Sequence, residues 1–318
     1  MRRAGSALRV WGAPAAAAYR ETSRKVTRMS TRSTSRRAAA LIAGTAIAST
    51  LFAQGAAASH PKEESAPARP AINMTKLLIA AQLDEYRPGN RHTRGAVRSV
   101  KRVQRQLRRR GISVAVDGNF GAQTMSGYAA WQRRLGYTGL DASGMPGETS
   151  LKRLAGRRFR VTRVVRPGGR LLWSGVTLNR RTVRMLRAAG RLVRRGCVLD
   201  ATKGSYTGPD SSSQATHAGG GAVDLSVRRR CGRPVRRVVR SLRRVGFAAW
   251  YRNWPGNRHI HAIAISDPDM ANEIAFPGWF DAREQVVGWA QRKDGLNAPT
   301  TGRMTRRLHT WEQFKRSR

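Results

Sequence analysis

The sequence predicts an α+β fold: a small three-helix bundle, then a mixed α+β domain whose antiparallel sheet carries a zinc site. Three observations lead there. Residues 96–156 place apolar side chains at helical spacing between glycine turns. Residues 158–295 mix short alternating runs with longer helical ones. Within that second region, His217, Asp224 and His261 have ligand chemistry, since imidazole and carboxylate both hold zinc and three protein ligands leave a fourth position open.

The N-terminal elements come first. Arg36-Arg37 precede an apolar run from Ala38 to Phe52, and Ala56-Ala57-Ala58 supply small residues before Ser59. This makes residues 1–58 a secretory signal peptide and the protein secreted, with Met29 as an alternative start. The apolar run falls short of the roughly 20 residues a span needs, so no membrane attachment is expected after cleavage; an uncleaved anchor is the alternative. Residues 59–95, with Pro61, Pro67, Pro70 and Pro88, read as a linker in which Ile72–Leu83 form a short helix.

In the helical unit, Val97, Val100, Val103 and Leu107 share one helix face, and Gly111 ends that helix. A second helix carries Met125, Tyr128, Ala129, Gln132 and Leu135 on one side, and a third carries Leu151 and Leu154. Gly118-x-x-Gly121-x-x-Thr124 recurs as Gly144-x-x-Gly147-x-x-Ser150, each turn leading into a helix. Val103, Gln104, Leu107, Gly111, Val116, Asp117, Gly118, Phe120, Gly121, Thr124, Trp131, Gln132 and Gly136 together resemble the three-helix peptidoglycan-binding domain. That resemblance covers 96–156 and implies peptidoglycan as a partner, with Asp117 and Phe120 at the turn as candidate glycan contacts.

In the second domain, 158–295, Phe159–Val165 and Leu171–Trp173 read as strands. Asn179 or Thr182 caps a helix bearing Val183, Leu186 and Leu192. Gly219, Gly220 and Gly221 let the chain turn and leave room above the metal. Ala222–Val227 is a strand with Asp224 opposite in face to Val223 and Leu225. Pro234 starts a helix with Val235, Val238, Val239 and Leu242 inward and arginines outward, a solvated or wall-facing side. Phe247–Tyr251 and His259–Ile265 complete the sheet, with His259, His261, Ile263 and Ile265 on one face. Trp250, Tyr251 and Trp254 are candidates for a substrate cleft, with packing as the alternative. The tail 296–318 has a helical pattern and no site.

His217, Gly220, Ala222 and Asp224 resemble the first motif of the zinc D-Ala-D-Ala carboxypeptidases and L-alanyl-D-glutamate endopeptidases, whose fold the hedgehog signalling domain shares. The resemblance implies zinc held by His217, Asp224 and His261, and hydrolysis of a peptide bond in peptidoglycan stem or cross-bridge peptides. The chain departs from the family pattern in three ways. Ala215 replaces its serine, Arg258 stands where an acidic general base is expected, and no acid occurs between Asp224 and Asp267. Upstream, where the family has an arginine for a substrate carboxylate, Lys203 is the nearby cation, without the bidentate fork. Three arrangements stay open: His259, two residues before His261 on the same strand face, as base; an acid brought in from Asp200, Asp210 or Asp267; or a metal site that hydrolyses nothing and staples a wall-binding protein.

An exported chain gives Cys197 and Cys231 a meaning, since they flank the motif and an oxidising compartment permits a bridge closing about 35 residues, a stabilisation of a few kcal/mol. Net charge is +43, and 8 of the 61 basic residues are lysine. GC-rich codon usage accounts for such an arginine excess without any function; retention on anionic wall polymers accounts for it with one. No base-reading motif accompanies the charge, so nucleic acid is not an expected partner.

Overall fold

Among the described residues, 68–228 and 231–318 of a computed structural model, the chain folds into eight strands and eight α-helices of mixed α+β type. The expected signal peptide and residues 59–67 of the expected linker lie outside this range. No helix among the described residues is long and apolar enough to cross a membrane.

Strand β1 (Ala71–Asn73) runs into helix α1 (Met74–Leu83), whose sequence MTKLLIAAQL offers apolar residues all round. Such a helix must be covered on several sides, and Leu77, Leu78, Ala80 and Ala81 are fully buried. The linker reading is therefore corrected for residues 71–83, which are structural core. Helices α2 (Val97–Arg109), α3 (Ala122–Arg134) and α4 (Glu148–Ala155) follow, and β2 (Arg160–Thr162) returns to pair parallel with β1. One apolar core joins Leu77, Val100, Val103, Leu107, Met125, Tyr128, Leu151 and Phe159, so α2–α4 share their interior with α1 and β2.

The glycine repeat has a structural counterpart. Buried Gln104 on α2 accepts from the Gly118 amide (2.9 Å) and donates to Asp117 Oδ1 (2.7 Å) and Asn119 O (2.9 Å). Buried Gln132 on α3 accepts from the Gly144 amide (2.7 Å) and donates to Met145 O (2.9 Å). In both halves a glutamine on one helix clamps the turn that starts the next.

Strands β3 (Arg170–Trp173) and β4 (Val176–Asn179) form a hairpin leading into α5 (Arg180–Val193). Asn179 caps α5 by accepting from the Thr182 amide at 2.8 Å. The main sheet is antiparallel in the order β5 (Ala201–Lys203), β6 (Ala222–Ser226), β8 (Asn257–Ala264), β7 (Phe247–Trp254). One face, with Val223, Leu225, Phe247, Ala249, Ile260 and Ala262, packs under α5 and α6 (Val235–Val245). The other face carries Ala222, Ala248, Trp250 and Ile263 beneath α7 (Ala282–Ala290). Terminal helix α8 (Trp311–Arg316) buries Trp311 and Phe314 in the first of these cores, so the tail belongs to the fold. The disulfide Cys197–Cys231 is formed, tying the segment after α5 to the segment before α6.

Replacing Gln104 with Leu leaves the Gly118 amide without its acceptor in a buried setting, a loss of about 1–3 kcal/mol per unsatisfied group. Urea unfolding should show the Gln104→Leu midpoint well below that of the Gln123→Leu control, whose side chain bonds one exposed amide. Equal midpoints would refute the clamp.

Candidate metal centre

Strand pairing assembles the site. Antiparallel register sets Lys203 opposite Asp224, Asp224 opposite His261, and His261 opposite Trp250; the next row places Ser226, His259 and Arg252 together. Because side chains alternate, both rows share the sheet face away from α5 and α6. His217 comes from the preceding loop. That loop is held by amide bonds from Thr207 to His217 O and from Tyr206 to Gly219 O, both 3.1 Å.

The ligand atoms of His217, Asp224 and His261 lie within 4.8 Å of one another, and this buried group could hold a metal ion. Hydrogen bonds orient both imidazoles. His217 Nδ1 donates to Gly204 O at 2.7 Å, which aims Nε2 at Asp224 Oδ1, 3.4 Å away. His261 Nε2 lies 2.7 Å from Gln285 Oε1, and its Nδ1 lies 2.6 Å from the same carboxylate oxygen. Two ring nitrogens thus converge on one carboxylate oxygen, and protein oxygens that orient ligating imidazoles are the usual companions of a metal site. Burial opposes ionisation of Asp224, but the charges and hydrogen bonds of His261 and His217 outweigh it and hold the carboxyl well below the usual range. Burial pushes the His261 imidazole down, favouring the neutral ring. Ionised carboxylate and neutral imidazole are the forms that bind a cation.

A cavity of about 370 Å³ opens over these atoms, lined among others by Lys203, Ser213, Arg252, Trp254, His259, Phe280 and Gln285. Asp224 is the one carboxylate lining it among the described residues. The alternative acids lie elsewhere. Asp267 is fully buried, bonded by Asn179 Nδ2 at 2.9 Å and lying 3.6 Å from Arg181. Asp210 is outside the lining and ion-paired with Lys203 at 2.9 Å; hydrogen bonding from Ser212 is the largest effect holding its carboxyl low. Lys203 therefore faces the cavity with its ammonium already bonded to Asp210 and to Ser213 Oγ (2.8 Å). His259 directs Nδ1 at Asn257 O (3.0 Å), which leaves Nε2 bare and 3.8 Å from Asp224 Oδ1. Arg258, three residues before His261 on a regular strand, alternates to the opposite face and is exposed.

Several candidates are placed differently from expectation. Phe120 is fully buried in the helical core and presents no surface to a glycan. Asp117 is exposed but serves as a turn acceptor for Asn119 N (2.8 Å) and Gln104. Trp250 is buried behind His261, its ring 5.9 Å away and nearly parallel, so it supports the ligand rather than lining the cleft. Tyr251 alternates to the other face and lies outside the cavity, whereas Trp254 does line it. The glycine turn leaves no open room above the metal. A Cβ on Gly219 would come within 2.2 Å of Ala271 N, and Gly221 has φ +88°, so these residues admit the 267–271 loop and the turn itself.

Arg252 and Gln285 were not legible beforehand. Arg252 is buried, donates Nη1 to Asp294 O (2.8 Å), and lies 5.2 and 5.6 Å from the Trp250 and Trp254 ring centres. It forms no ion pair with a carboxylate among the described residues. Only its parity with His259, seven residues on across a hairpin, carried a signal. Neither family models nor curated proteins nor solved structures give a match to this chain.

Behind the glycine turn, Tyr206 Oη donates to Asp269 Oδ2 at 2.7 Å. Burial, then the charge of Asp267, raises the Asp269 carboxyl to about 7. The folded state thus holds a proton that the unfolded chain releases near 3.8. The stability this gives is complete below that lower value and is lost as pH rises through about 7. In chelator, urea unfolding of Asp269→Asn should show a pH 5 to pH 8 loss smaller than wild type by roughly 2 kcal/mol. Identical losses in the two proteins would exclude the assignment.

Proposed function

We propose that the protein is an exported, peptidoglycan-binding zinc peptidase that hydrolyses a peptide bond in wall stem or cross-bridge peptides. The observation that carries this reading is the convergence of three ligand atoms, within 4.8 Å of one another, at an open cavity. The motif resemblance at His217, Gly220, Ala222 and Asp224 supports it, as does the resemblance of residues 96–156 to a peptidoglycan-binding bundle. Zinc held by His217, Asp224 and His261 would supply Lewis acidity toward water and a peptide carbonyl.

The chain's own residues then have separable tasks. His259 Nε2, bare and directed into the cavity, takes the proton from the attacking water as general base. Arg252, rigidly held by backbone carbonyls and tryptophan rings, offers its remaining guanidinium donors to a substrate carboxylate. Gln285 keeps His261 in its ligating tautomer. A second reading, a non-catalytic wall binder with a structural metal, draws on the lack of a carboxylate base in the cavity lining.

Purified mature protein incubated with isolated sacculi should release D-alanine or a defined stem peptide by mass spectrometry, and chelator should abolish that release. Binding without release, by protein carrying one zinc per chain, would leave the structural-metal reading standing. His217→Ala should lose release and keep sacculus binding. In kinetic assays of released peptide, His259→Gln should lower kcat by about 10²-fold or more at unchanged zinc content. Arg252→Lys should instead raise KM about tenfold or more, since lysine lacks the fork. Arg258→Glu should restore nothing, because position 258 faces away from the cavity; a gain in kcat there would overturn the register argument.

A further inference from the structure

Helix α6 buries Val238, Val239, Leu242 and Val245 and leaves Arg236, Arg237, Arg240 and Arg244 exposed on its other side. Those four, with Arg233 in the preceding turn and Leu192 of α5, line a concavity of about 380 Å³. No carboxylate is in the lining, and none of the five arginines forms an ion pair among the described residues. Elsewhere among the described residues Arg181 pairs with Glu312, Arg283 with Glu85 and Glu273, and Arg166 with Glu148. The groove is built the other way. Its rim is fixed by the Cys197–Cys231 bridge, two residues from Arg233.

Five guanidiniums around one hollow repel one another, and an anion threaded among them removes that repulsion while satisfying their forked donors. Phosphate suits the arginine fork and stays charged at any ambient pH. The lining also holds no aromatic ring among the described residues. Single-stranded nucleic acid is gripped by stacking bases on aromatics, about 1–3 kcal/mol per base, in addition to its phosphates. A groove with arginine and no ring favours a phosphate chain without bases.

We propose that the α6 groove is a binding site for a linear phosphodiester polymer lacking bases, a polyol phosphate chain. This site is separate from the metal cavity and does not depend on catalysis there.

The test uses the full chain and fluorescence anisotropy with labelled poly(glycerol phosphate). Single-stranded DNA and polyglutamate of equal charge serve as competitors. The variant Arg236→Gln/Arg237→Gln/Arg240→Gln/Arg244→Gln is compared with Arg98→Gln/Arg105→Gln/Arg108→Gln/Arg109→Gln on α2, which removes the same charge from another exposed helix face. The groove variant should lose on the order of 30-fold in affinity, and the α2 variant less than about threefold. Polyol phosphate should outcompete both competitors. Equal losses in the two variants would reduce the effect to diffuse charge. Tighter binding of DNA would make the groove a nucleic-acid site, and equal binding of polyglutamate would remove the phosphate preference. If the fourfold groove variant shows a lowered Tm, Arg236→Gln/Arg240→Gln with an intact melting curve carries the same comparison, expected to lose about fivefold or more.

Discussion

Asp224 meets His261 because β6 and β8 pair in a single register, from Ala222 opposite Ile263 to Ser226 opposite His259. The candidate metal centre depends on that register more than on any one side chain. A slip of β8 by one residue would turn His259 and His261 into the apolar core and Ile260 and Ala262 into the cavity. The register is fixed from behind, where Val223, Leu225, Ile260 and Ala262 are closed under α5 and α6. Exposing Val223, Leu225 or Ile260 would cost about 1.5–3 kcal/mol each. The site is therefore held by packing on the side of the sheet it does not touch.

Buried charge gives the remaining architecture its connections. Arg283, fully buried on α7, donates to Ala81 O of α1 and pairs with Glu85 and Glu273. Arg181 on α5 pairs with Glu312 of α8 and lies beside Asp267. Arg181 and Glu312 are both buried, so removing Glu312 leaves a poorly compensated buried charge, a loss on the order of 3–5 kcal/mol. These hubs join segments far apart in sequence, which is why residues 71–83 and the tail are core. They also draw the few acids of a strongly basic chain into structural roles.

The sheet face of the ligands was legible because a period of two in His259-Ile-His-Ala-Ile-Ala-Ile and in Ala-Val-Asp-Leu-Ser depends only on local geometry. The helices on either side of Gly111 and Gly121 and the Asn179 cap were legible for the same local reason; the disulfide was legible from two cysteines in a chain with an export signal. What escaped was long-range. Nothing near Gln285 says that α7 will cover His261, and nothing near Arg252 says that residues 294–295 will supply its carbonyl acceptors. Phe120 and Tyr251 were misplaced because a turn aromatic and a strand aromatic look alike whether they face water or core. The glycines of 219–221 were read as clearance for a ligand; their neighbour is instead the backbone of the 267–271 loop.

The regularity of β8 bears most directly on chemistry. An acid three residues before a ligating histidine reaches the cavity only where a bulge or bend breaks the alternation of side chains. Here β8 pairs without interruption from Asn257 to Ala264, so position 258 faces out whatever residue occupies it. Arginine at that position is then no anomaly, and the group two residues before His261 inherits the cavity. His259 fills it, with Nδ1 fixed by Asn257 and Nε2 left bare. The same parity puts Arg252, its partner across the hairpin, in the cavity wall. His259 and Arg252 thus reach the same cavity wall together, through one uninterrupted pairing of β7 with β8.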